Sequence, residues 1–147
     1  MVNIIHRSAS AAFLLCILSF FSSTVISMLF SEAPGRTAVK ELIVFPGLIL
    51  LVLAAALTGI TGRLLAFDRS GKLIEKKLKR MKLIAANGVI ILIPCAFSLR
   101  YMAVNGFFDT IYYAVQTLEL AAGFLNIVLI VMNFRAGFRL SANKRLI

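Results

Sequence analysis

Gln116, Glu119, Gly123, Asn126 and Asn133 recur at steps of three, four, three and seven along the apolar stretch from Ile111 to Phe134. That spacing puts them on one face of a helix. The stretch is long enough to cross a bilayer, which places Glu119 about a third of the way into a membrane segment. Ionisable groups at such depth are costly, and they face a bundle interior or a wet cavity with a partner. The stripe therefore points inward, and two chemistries suit it: carriage of a proton by the lone carboxylate, or a polar network that knits helices together. Folding the chain about the short connection Asn105–Asp109 sets Glu119 opposite Ala96, with Arg100 about one helical turn further out. An Arg100–Glu119 ion pair, or a network shared with Gln116, is expected. Asn126 and Asn133 should face helices, with Asn87, Pro94 and Ser98 supplying the facing surface.

The elements that carry this stripe follow from composition. The chain has 147 residues and is 61% hydrophobic, with a mean hydropathy of +0.96. Four apolar stretches, residues 9–30, 42–61, 83–104 and 111–134, approach or exceed the ~20 residues needed to span ~30 Å of hydrocarbon. Backbone groups in lipid must be satisfied within the segment, so such unalternating runs are helices. The expected fold is one all-α membrane domain, 1–147, a four-helix bundle with up-down-up-down antiparallel order set by short connections. The first stretch has Arg7 before it, but its apolar run exceeds the ~7–15 residues of a cleavable signal core. It reads as a retained helix.

The net charge of +10 is distributed as topology rather than as a nucleic-acid footprint. Thirteen of the 16 basic residues fall in three places. One is Arg7. Another is the loop 63–82, with Arg63, Arg69, Lys72, Lys76, Lys77, Lys79, Arg80 and Lys82. The third is a tail with Arg135, Arg139, Lys144 and Arg145. Elsewhere Arg36 and Lys40 are balanced by Glu32 and Glu41, and Arg100 by Asp109. The Lys/Arg bias predicts both termini and the basic loop in the cytoplasm. Lys72, Lys76, Lys77, Lys79, Arg80 and Lys82 also form a polybasic patch for anionic lipid headgroups. Leu73, Ile74, Leu78 and Met81 recur at helical spacing among them, so this segment either lies at the headgroup boundary or extends the third helix. Asp68-Arg69-Ser70-Gly71 reads as a turn, with Gly71 suited to positive φ. No aromatic interleaving or module supports a nucleic-acid partner.

Small residues crowd the second helix: Ala54, Ala55, Ala56, Thr58, Gly59, Thr61 and Gly62. They suit close packing inside the monomer or a homo-oligomer. Pro46-Gly47 and Pro94 should kink their helices. Cys16 and Cys95 read as small buried hydrophobes. His6 stands alone at the end of the first helix, and no residue cluster has metal-ligand spacing.

His6, then Pro46-Gly47 and Leu57-Thr58-Gly59 in the second helix, then a basic stretch with Lys82 leading into the third, form an order that resembles a known superfamily. It is that of small bacterial membrane proteins holding the copper-resistance D domain and the heme-binding protoporphyrinogen oxidase. The resemblance covers about the first two thirds of the chain, is architectural, and is nearest to members of unknown function. It implies a bacterial inner-membrane location and, by analogy with the heme-binding member, a heme held through His6 and Lys82. Asn133-Phe134-Arg135-Ala136-Gly137-Phe138-Arg139-Leu140 has the look of a family signature without an attached function. Two functions remain open from the sequence. One is a non-catalytic accessory or assembly component that docks a membrane partner. The other is a small-molecule handler, either a proton-coupled transporter using Glu119 or a heme redox protein using His6.

Overall fold

The computed structural model describes residues 1–67 and 71–143, with 138–143 described by backbone alone. Among the described residues there is no strand, and six α-helices follow one another: α1 (Val2–Phe30), α2 (Ala33–Leu42), α3 (Leu48–Ala66), α4 (Lys72–Asn87), α5 (Ile93–Val104) and α6 (Thr110–Asn143). The segment Ile43–Gly47 joins α2 to α3 across a kink, and Gly88–Leu92 joins α4 to α5 as a turn of π-helix. The result is four rods, Val2–Phe30, Ala33–Ala66, Lys72–Val104 and Thr110–Gly137, each long and apolar enough to cross a membrane.

Both joints sit where proline breaks the ladder. Pro46 has no N–H to offer and its ring crowds the carbonyl of Leu42, four residues back. Phe45 consequently leaves helical geometry, at φ −142° and ψ 118°. Pro94 stands in the first turn of α5, and the looser turn before it absorbs the missing donor. The connection between the third and fourth rods is closed by a Schellman motif. Phe107 N–H donates to Met102 O at 2.8 Å and Gly106 N–H to Ala103 O at 3.2 Å, with Gly106 at φ +73°, a conformation glycine adopts without penalty. Asp109 then caps α6, its carboxylate accepting from Tyr112 N–H at 2.9 Å.

The rods start earlier than the hydropathy pattern indicates. Hydropathy starts the second at 42, with Ser31–Lys40 as a connection. Instead Pro34 occupies the first turn of α2, where its fixed φ favours a helix start. Within the basic segment 63–82, Arg63 lies in α3 and Lys72–Lys82 is the first part of α4, so of the two placements expected for that amphipathic stretch it extends the third rod. Gly71 precedes it at φ +143°. The rest of the expected turn, Asp68, Arg69 and Ser70, lies outside the described residues, as do Lys144, Arg145 and the side chain of Arg139.

α1 lies along α3, α4 lies along α6, and α1 also meets α6; α2 packs on α5. Phe13, Ile17, Ala54, Ile84 and Ile130, drawn from all four rods, form one core cluster. Leu99, Ala103 and Tyr112 form a second near the short connections. Outward, α3 presents Leu53, Leu57, Ile60 and Leu64, all exposed. An apolar exterior of this extent is compatible with a small integral membrane protein.

Candidate functional site

The bundle has two unlike ends. At the end carrying the two short connections, α2 brings Lys40 inward until only 2% of its side chain is exposed, and its ammonium meets Glu119 Oε2 at 2.5 Å. The same oxygen accepts from Gln116 Nε2 at 2.7 Å, and Thr24 Oγ1 accepts from Lys40 at 3.4 Å. Three rods are thus tied through the Lys40 ammonium, which reaches Thr24 of α1 and Glu119 of α6. Arg36 adds a second tie, donating to Tyr113 Oη at 2.8 Å, Met28 O at 3.2 Å and Ser31 O at 3.0 Å. Thr37 reaches across to Ala103 O at 3.1 Å. Charged donors supply most of these ties, and bonds of that kind are stronger than neutral ones.

The expected Arg100–Glu119 pair does not form. Arg100 faces outward to Glu41 at 3.7 Å, with both side chains about half exposed. A pair of that kind contributes ~0–1 kcal/mol. Lys40 takes the place assigned to Arg100 because α2 begins at Ala33 and carries Lys40 into the bundle before the apolar run starts.

Further along the stripe, Asn126 is 2% exposed and accepts from Asn87 Nδ2 at 2.9 Å; Asn87 also donates to Ala122 O at 2.8 Å. Of the three facing residues expected from the third helix, Asn87 makes contact, whereas Pro94 and Ser98 are exposed. Asn87→Ala should cost little, ~0.6 kcal/mol and at most ~1.7, read from unfolding in mixed micelles. Asn133 donates to Lys77 O at 3.5 Å. Among the described residues, two buried acceptors, Gln116 Oε1 and Asn133 Oδ1, have no hydrogen-bond partner.

At the other, basic end the rods part. α3 and α4 meet at few points, notably where Met81 and His6 close over Gly62, at 3.1 and 3.2 Å from the position a Cβ would take. Between them runs a cavity of about 880 Å³ whose wall includes His6, Phe13, Gly59, Lys77, Glu119 and Asn133. Val52 and Val89 also line it, and both are exposed. The cavity is therefore a cleft open sideways, on the surface that lipid would cover. Its volume lies within the ~300–1,000 Å³ typical of small-molecule sites. Gly59 and Gly88 stand on its walls with nothing within 4 Å of a Cβ position. Ile74, Leu78 and Met81, the apolar face of the basic segment, form part of the lining.

Lys77 lines the cleft, and Lys72, Lys76, Lys79 and Lys82 belong to α4 without lining it. Arg80 is also absent from the lining. His6 lines the cleft, with Nδ1 2.9 Å from Thr61 Oγ1, but Lys82 is not part of that wall. Of the two residues implied for heme, only His6 lines the cleft. Cys16 and Cys95 are free thiols. Among the described residues, no three His, Cys, Asp or Glu side chains converge as a metal site would require.

Sequence pattern alone misses Lys40 and the cleft. A signal for Lys40 is present: Arg36 and Lys40 are four residues apart behind Pro34, a helix start with two cations on one face. The cleft has no such signal. Comparison of the chain with known families, characterised proteins and solved structures finds no match.

Proposed function

We propose that this protein is an accessory integral membrane protein that works by holding an apolar guest, with no catalytic step of its own. The observation carrying this reading is the contrast between the ends. The Lys40–Glu119 network clamps one end of the bundle, while an apolar cleft of about 880 Å³ runs from the basic end up to Glu119 and opens toward lipid. A site largely formed in advance avoids much of the ordering cost of binding. Native mass spectrometry of the protein released from phosphatidylcholine bilayers should find one retained lipid. Filling the walls with Gly59→Phe and Gly88→Phe should remove it, because both positions face open space. Retention unchanged in that variant would sink the reading.

The two short connections support alternating rod directions, and the charge bias supports cytoplasmic termini in a bacterial inner membrane. In a background without Cys16 and Cys95, Glu32→Cys should react with an impermeant thiol reagent in intact cells and Lys76→Cys should not. The reverse pattern would invert the orientation.

Proton-coupled transport is a second reading, favoured by the presence of Glu119 on the cleft wall. Its close pairing with Lys40 favours a fixed clasp instead. Discharge of a pH gradient in proteoliposomes by the native protein, and not by Glu119→Gln, would reverse that ranking.

A further inference from the structure

We propose that the Glu119 end of the cleft seats the head of an uncharged lipid, which donates one hydrogen bond to Glu119 Oε1. The chemistry recognised is a neutral O–H or N–H on an apolar chain, as in a long-chain alcohol or amide. This inference rests on the guest-holding reading above and adds the chemistry of the guest.

Three observations converge. Among the described residues, both hydrogen bonds to the Glu119 carboxylate, from Lys40 and from Gln116, arrive at Oε2. Oε1 has no donor, and unlike Gln116 Oε1 it is not sealed by its neighbours. The side chain keeps 12% exposure and lines the cleft, so a guest can reach it. Next, Lys40 already balances the charge of Glu119. A cationic head would bring a charge into hydrocarbon without a counter-ion, and an anionic one would meet the free carboxylate oxygen. A neutral donor carries neither cost, and it satisfies an acceptor whose lone pairs are otherwise unmatched. Finally, the lining runs from Glu119 through Phe20, Ile17 and Phe13 toward the basic end, an apolar path for the chain behind the head. A single unpaired acceptor at the end of a hydrocarbon wall matches one polar donor on an apolar body.

The test uses the full chain in neutral detergent, with native mass spectrometry reading bound lipid. Oleyl alcohol, oleamide, methyl oleate and oleylamine share one chain and differ at the head. Methyl oleate accepts hydrogen bonds but cannot donate one. The alcohol and the amide should each be retained about tenfold better, the worth of one hydrogen bond to a charged acceptor. Oleylamine should gain nothing over the alcohol. Lys40→Met with Glu119→Leu should hold methyl oleate as the native protein does and lose the preference for the alcohol. A second measurement needs no variant. An alcohol of the same length with a diazirine beside its hydroxyl should, on irradiation, label the native protein around Phe21 and Leu120, which line the Glu119 end. Should the double variant not fold, that labelling decides by itself.

Equal retention of the alcohol and methyl oleate by the native protein overturns the inference, leaves Oε1 to water, and keeps the guest-holding reading intact. A preference that survives Lys40→Met with Glu119→Leu overturns it equally. So does labelling confined to the wall around His6 and Ser10, which would place the donor at the basic end. Stronger retention of oleylamine than of the alcohol overturns it too, and assigns the seat to a cation. Only unchanged retention in Gly59→Phe with Gly88→Phe removes both the inference and the reading beneath it.

Discussion

Lys40→Ala is expected to destabilise the bundle by ~3–5 kcal/mol, the usual cost of removing one partner of a buried ion pair. The substitution strands the Glu119 carboxylate, 12% exposed, with Gln116 as its remaining donor. It also cuts the tie from α2 to α1 and α6. The double variant Lys40→Met with Glu119→Leu should regain most of the loss, because an apolar pair of similar volume avoids the desolvation penalty altogether. Unfolding in mixed micelles measures both. A single variant as stable as the native protein would show that the pair contributes nothing to holding this end closed. A double variant no better than the single would place the cost in packing rather than in the stranded charge.

Gly47→Ala should cost ~1–3 kcal/mol by overpacking. The added Cβ would stand 2.7 Å from Phe20 Cζ and 2.8 Å from the carbonyl oxygen of Leu42. The phenyl ring is the far end of a side chain, but the carbonyl belongs to the backbone of the proline joint and does not yield as easily. Gly59→Ala, further along the same rod, meets nothing within 4 Å and should be neutral or stabilising by up to ~1 kcal/mol. Thermal unfolding of the two variants side by side separates them. Equal effects would contradict the assignment of Gly47 to a close approach and of Gly59 to open space.

These two glycines also mark what sequence can and cannot tell. Both belong to a rod rich in small residues, which reads as helix packing, and packing is what Ala54 and Gly62 do. Gly59 looks the same in sequence yet borders a void, because the separation of α3 from α4 depends on tertiary contacts that no local pattern encodes. The polar stripe is legible because the cost of polar groups in hydrocarbon forces one face inward: Gln116, Asn126 and Asn133 are all buried. Its partner is not. Pro34-Gly35 has the composition of a turn, and a proline in the first turn of a helix is indistinguishable from one in a loop until the helix that follows is seen. Four long apolar segments are equally plain, since each reaches the length that a bilayer crossing requires. Their ends are less so: the helical spacing of Leu73, Ile74, Leu78 and Met81 marks the extension by α4, whereas α2 is an extension that hydropathy alone assigns to a connection.

The most direct test is whether an acyl chain enters the bundle. The chain contains no tryptophan, so a single one reports without background. Phe13→Trp places it in the core cluster and on the cleft wall, and Leu125→Trp places it on the exposed outer face of α6. In bilayers of lipid brominated along the acyl chain, the open cleft predicts strong quenching at both positions, with quenching at Phe13→Trp lost when Gly59→Phe and Gly88→Phe are added. Quenching confined to Leu125→Trp, with Phe13→Trp fully emissive in the unblocked protein, would contradict it.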